Sequence, residues 1–85
     1  MKVVAEVSFV DEAEIKKLNF KYRKINRPTD VLSFPLESME PGPDKIIRLG
    51  DIVICKKQAK EKGHSVSFLI KHGMLHLLGK HHKEN

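Results

Sequence analysis

The chain has 85 residues, 40% of them hydrophobic and 32% charged, enough for one domain with a modest core and no more. Sixteen Lys and Arg against eleven Asp and Glu give a formal charge of +5, which suits a polyanionic partner, although a lysine-rich solvated surface accounts for it equally well. The lone cysteine, Cys55, excludes an internal disulfide, no apolar run reaches the ~18 residues of a membrane helix, and MKVVAEVSFV lacks a signal-peptide pattern, so a cytoplasmic domain without membrane contact is expected.

Residues 2–10, KVVAEVSFV, are rich in valine and partly alternate, as a strand does. Asp11 follows as a helix cap, with Glu14 at the capping-box position. Ile15, Leu18, Tyr22 and Ile25 then recur at helical spacing, which predicts an amphipathic helix over 12–24. Asn26-Arg27-Pro28 ends it, because a residue before proline avoids the helical region. TDVLSFP, 29–35, is short, β-prone and bounded by prolines, which suits a strand at a sheet edge.

Residues 36–45 hold two prolines and a glycine and read as a loop. A further strand lies within 46–55, IIRLGDIVIC, where Gly50 marks a bulge or a close backbone approach. KKQAKEK, 56–62, is a short solvated helix capped by Gly63. HSVSFLIKHGMLHLL, 64–78, is a second long helix with Ser65 or Ser67 near its start, and Gly79 allows a left-handed exit. The order β-α-β-β-α-α places residues 1–85 in the α+β class, as one domain with a small sheet covered by helices.

Four of the five histidines fall between positions 72 and 82. His72 and His76 stand at i and i+4, only about 40° apart around a helix, so both leave one face. That is how a helix gives two imidazoles to one metal ion. With Gly79 and His82 the run becomes H-x3-H-x2-G-x2-H, the spacing of the metzincin zinc run H-E-x-x-H-x-x-G-x-x-H. The protease's glutamate, its general base, is here Gly73, which accepts no proton. Three neutral imidazoles without a thiolate predict Zn2+, one per chain, in a zincin-like site on the C-terminal helix, with a fourth position open to water. Cys55, inside a Val/Ile-rich strand, reads as a packing residue and His64 as a helix-start residue. Spacing alone selects His82 over His81, and surface histidines near a chain end are the competing interpretation.

Three stretches together carry a family resemblance: NFKYR (19–23) with RPTDVLSFP (27–35), LGDIVIC (49–55), and HGMLHLLGKHH (72–82). They resemble the YbeY family of zinc-dependent endoribonucleases. The resemblance implies an α+β fold with a mixed sheet, and one zinc on His72, His76 and His82. It also implies cleavage of single-stranded RNA, with roles in rRNA maturation and ribosome quality control. Arg23 occupies the place of the family's functionally important arginine, and a guanidinium is suited to hold a phosphate bidentately. Lys56, Lys57, Lys71 and Lys80 are then expected to hold the RNA backbone. Asp30, Ser33 and Asp51 belong to the same motifs; they read first as a turn or cap residue, a strand residue and a strand-edge carboxylate. Either aspartate is also an option as partner to a zinc histidine.

Two departures stand out. The family usually has Tyr-Asp before the third histidine, where this chain has Lys80-His81. Typical members are also longer, and the resemblance implies that their N-terminal strand-helix portion has no counterpart here. The leading expectation is a zinc-dependent endoribonuclease with RNA and the ribosome as partners. The alternatives are a minimal metallopeptidase and a non-catalytic zinc-stabilised module that binds RNA or the ribosome.

Overall fold

A computed structural model describes residues 2–36 and 43–81, without the side chains of Lys80 and His81. The elements run β1 (Lys2–Phe9), α1 (Glu12–Arg23), β2 (Val31–Pro35), β3 (Ile46–Ile54), α2 (Lys56–Lys62) and α3 (Val66–His81). The expected order and class therefore hold. Of the loop expected at 36–45, residues 37–42 lie outside the described residues. No helix among the described residues is long and apolar enough to cross a membrane.

The sheet is mixed, with β3 at its centre. β1 lies parallel to β3 and β2 antiparallel to it, so β2 is an edge strand as its flanking prolines suggest. Gly50 fills both roles foreseen for it. The β1–β3 register slips between Val4 and Glu6, which face Arg48 and Asp51, so β3 takes one step more than β1. Gly50 absorbs that step at φ 146°, and a Cβ there would lie 2.2 Å from the Phe34 carbonyl oxygen. The extra residue also resets the alternation. Leu49 and Ile52, three apart, both enter one core, where a regular strand would send them to opposite faces.

Helices cover both faces of the sheet. On one, Leu49, Ile52 and Ile54 pack with Ala59 of α2 and with Leu69 and Leu77 of α3. On the other, Leu32, Val53 and Cys55 pack with Ile15 of α1, flanked by Leu18 and Phe34. Cys55 is buried, as a packing thiol should be. α3 packs tightly on β3 at Gly73, where a Cβ would meet the Ile52 side chain at 2.9 Å.

Local signals set most helix ends. Asp11 caps α1, its Oδ1 accepting from the Glu14 N–H at 2.8 Å. Lys24, at φ 63°, closes the helix: its N–H donates to the Phe20 carbonyl, and the Ile25 N–H to that of Asn19. Gly63 caps α2 in the left-handed conformation. Ser65 caps α3, its Oγ accepting from the Phe68 N–H at 3.1 Å. The expectation for Gly79 is corrected. α3 continues through it to His81, and Gly79 is not among the glycines with positive φ. Glycine costs about 1 kcal/mol in a helix interior, which an already propagating helix absorbs.

Candidate functional site

α3 presents four-residue rows to two environments. Leu69, Gly73 and Leu77 face the sheet and are buried. The row one residue earlier, Phe68, His72 and His76, is exposed. The two imidazoles thus share an outward face, and neither has a protein hydrogen-bond partner among the described residues. The Phe68 ring stacks on His72 with centroids 6.0 Å apart and planes 17° from parallel. It also contacts the His64 ring at 5.1 Å. A ring restrained on one side by an aromatic neighbour keeps fewer rotamers, which favours a fixed ligand direction.

This pair fits a divalent cation in donor type and in access. Among the described residues no group of three His, Cys, Asp or Glu gathers to hold a metal. The third expected ligand, His82, lies outside them, as does the side chain of His81. α3 runs on past Gly79 to His81.

Arg23 sits in the last turn of α1 and lines a recess of about 450 Å³ with Asn19, Arg27, Thr29 and Lys62. Neither Arg23 nor Arg27 has a carboxylate partner among the described residues. Lys62 Nζ lies 3.6 Å from Asp30 Oδ1, and the other carboxylate oxygen, Oδ2, lies 2.8 Å from His64 Nδ1. Contacts therefore run without a break from the arginine recess through Lys62, Asp30, His64 and Phe68 to His72.

Asp30 is only 7% exposed. Burial opposes its ionisation, but the His64 hydrogen bond and the nearby Lys62 charge outweigh that. Its carboxyl is held below the usual aspartate range. The described residues pair it with His64 rather than with His72 or His76. Asp30 thus ties the β2 entry to the start of α3, and His64 is a helix-start residue as expected.

Asp51 is corrected from an edge carboxylate to an exposed residue in the middle of the central strand, opposite Glu6 and Phe34. Ser33 is a strand residue paired with Ile52. The lysines differ from one another. Lys57 forms an ion pair with Glu12 at 3.2 Å, and Lys56 lies over the Phe9 ring at 4.6 Å, so neither is an unengaged cation. Lys71 is exposed, and the side chain of Lys80 is outside the described residues. The cations beside Arg23 are instead Arg27 and Lys62, which spacing alone did not single out. Arg27 precedes a proline in a matching motif, and Lys62 precedes the capping glycine. Only the fold brings the two turns together.

The family model for endoribonuclease YbeY matches residues 1–85. An endoribonuclease YbeY of Thermoanaerobacter sp. (strain X514) is 46% identical over 99 residues, covering 95% of this chain and 62% of that protein. That of Caldanaerobacter subterraneus subsp. tengcongensis is 48% identical, covering 96% of this chain and 63% of its own. That of Staphylococcus carnosus is also 48% identical, covering 89% and 57%. The chain thus spans about three fifths of the length of the curated relatives it matches.

Proposed function

The chain belongs to the endoribonuclease YbeY family, and from that premise we propose that it is a zinc-dependent endoribonuclease acting on single-stranded RNA. The observation that carries this is the match over residues 1–85, which includes both exposed imidazoles of α3. His72, His76 and His82 are the residues that would hold Zn2+. When bound, the ion supplies a Lewis acid for a phosphate oxygen and lowers the pKa of a coordinated water to about 7.

The chain's own residues position the substrate. Arg23 holds a phosphate through its planar fork and balances the charge that develops on the phosphate oxygens. The Asp30–His64 and Phe68–His72 contacts fix the start of α3 and the direction of its first ligand. Phosphates contacted by Arg and Lys set register without reading sequence, as cleavage of unstructured RNA requires. Ribosomal RNA and the ribosome are the proposed substrate setting, in rRNA maturation and ribosome quality control. The proposed location is the cytoplasm.

Gly73 speaks against the metallopeptidase alternative. That position faces Ile52 inside the core, so a general base there would point away from the exposed histidines. The test is metal analysis of the purified chain beside His76→Ala, with cleavage of a labelled single-stranded RNA followed in the same samples. The parent is expected to carry about one zinc and cut, and His76→Ala and Arg23→Ala to cut poorly. Full activity in both variants would overturn the assignment. Metal-dependent melting and RNA binding without cleavage would support the non-catalytic module in its place.

A further inference from the structure

The two edges of the sheet are protected unequally. β2 ends on Pro35, which has no N–H to offer a further strand, and Pro28 stands shortly before it. β1 is eight residues long and carries no proline. Among the described residues it pairs with β3 alone, so its outer row of N–H and C=O groups is open. The extra residue at Gly50 lies in β3 and not in β1. Apolar side chains follow the same edge. Ala5 and Val7 of β1 are only partly covered by the core beneath α3, as are Ile70 and Met74 of α3, and Val3 is 44% exposed.

This edge is complementary to itself. Lys2 and Glu6 are exposed on the face of β1 opposite Ala5 and Val7, and neither has an ion-pair partner among the described residues. Glu6 instead faces Asp51 across the β1–β3 ladder, a like-charge pairing that an arriving cation would relieve. A two-fold axis normal to the sheet at Val4 brings a second copy alongside, antiparallel. Lys2 then stands opposite Glu6 of the second copy, Glu6 opposite its Lys2, and Val3 opposite its Ala5. Moving the axis to Ala5 sets Lys2 against Ser8 and Val4 against Glu6, which leaves every charge unmatched. Charge therefore selects both the occupant and the register.

We propose that the outer edge of β1 is a homodimer interface, where two copies pair antiparallel about Val4 and join their three-stranded sheets into one. Two reciprocal Lys2–Glu6 contacts fix the register, and Val3 and Ala5 of each copy cover one another. One strand pair buries little area, so the association is weak and depends on concentration. It is independent of the RNA reading, because none of these residues belongs to the histidine row or the arginine recess.

The test is sedimentation velocity on the full chain, with added zinc and again with a chelator. The parent is expected to dimerise at about 200 μM and to dissociate on dilution to about 2 μM, with or without metal. Lys2→Glu and Glu6→Lys each set like charges opposite one another twice, and each should weaken the dimer by about tenfold or more. The two changes move net charge in opposite directions, so general repulsion cannot account for a loss in both. The double variant Lys2→Glu/Glu6→Lys restores the opposite pairs and should recover the parent's affinity. Hydrogen exchange at the two concentrations should protect β1 amides only at the higher one. A parent that stays monomeric overturns the interface, and so does a dimer that needs metal, which the exposed histidines would be bridging. A dimer unmoved by either single change, or one not recovered in the double variant, overturns it as well. Positions 2 and 6 are exposed, so the variants should fold; should one fail, concentration-dependent exchange in the parent still decides the matter.

Discussion

The two rows of α3 have the same spacing and opposite fates. Leu69, Gly73 and Leu77 are buried against the sheet, while Phe68, His72 and His76, one residue earlier, face outward. A shift of one residue is about 100° around the helix, which is the difference between core and surface. Four-residue periodicity therefore marks a face without saying what that face does. On the inner row it lets a glycine bring helix and strand together, and on the outer row it aligns two imidazoles. Composition separates them: Leu, Gly and Leu can pack against Ile52, whereas two histidines and a half-exposed phenylalanine cannot close a core.

The comparison breaks most violently if chemistry is moved to the inner row. Gly73→Glu would restore the glutamate of the protease run, but at a position where even a Cβ meets Ile52 at 2.9 Å. Overpacking together with burial of a carboxylate should cost more than about 3 kcal/mol, enough to unfold much of a domain this small. Urea denaturation followed by circular dichroism would measure it. Retained stability with new peptidase activity would show that position 73 reaches the metal after all.

The reverse change, on the outer row, separates activity from stability. His72→Ala or His76→Ala removes an exposed side chain, so the metal-free protein should keep its stability within about 0.5 kcal/mol. RNA cleavage should fall by about 100-fold or more, because losing even a residue that supports a ligand costs roughly 10–100-fold. Melting with and without added zinc, beside a cleavage assay, reads both quantities. A large loss of metal-free stability would make the outer row structural.

How much of this was legible in advance follows from where each constraint resides. Elements stopped by a local signal could be read from the sequence: Asp11 and Glu14 at the start of α1, Gly63 after α2, Ser65 before α3. Gly50 could be read as an irregularity, because a glycine within a β-branched run has few other uses. Gly79 could not. A glycine ends a helix only if the chain after it turns, and residues 72–78 carry no sign that the helix runs on to His81. The histidine pair was visible because both imidazoles stand on one helix. The arginine recess was only half visible. Arg23 came from a motif, whereas Arg27, Lys62 and Asn19 come from α1, the turn after it and the end of α2, and only tertiary packing joins them. The ion pair of Lys57 was hidden for the same reason, since its partner Glu12 lies far back in the chain.

Ahead of both rows lies the link between Asp30 and His64 at the start of α3, and it gives a smaller effect. Asp30→Ala removes the carboxylate that pairs with His64 and lies near Lys62. The loss should be about 1–2 kcal/mol, kept small by solvent around both partners. The pH dependence has a definite sign. The folded carboxyl titrates below its ordinary value near 3.8, so the folded state binds its proton less readily than the unfolded chain. This contribution is therefore fully present above about pH 5 and is lost as pH falls through the depressed folded value. Urea midpoints measured between pH 7 and pH 3 should fall more steeply for the parent than for Asp30→Ala. Parallel curves would mean that the carboxylate contributes nothing through its charge.

The smallest effect is expected from Phe68→Ala, and it tests whether the outer row is organised before metal arrives. Phe68 is 50% exposed, so truncating it should cost under about 1 kcal/mol of stability. Its consequence should appear in zinc affinity instead. With the stacked ring gone, His72 regains rotamers that the bound state must again exclude, which weakens binding by up to about tenfold. Phe68→Leu separates bulk from stacking: it fills space beside His72 but presents no flat face. Competition against a chromogenic chelator measures all three proteins. Affinity falling for Ala and only partly recovering for Leu locates the ordering in the stacked ring. Equal affinities would mean that the metal itself selects the His72 rotamer, and that on this row only the imidazoles matter.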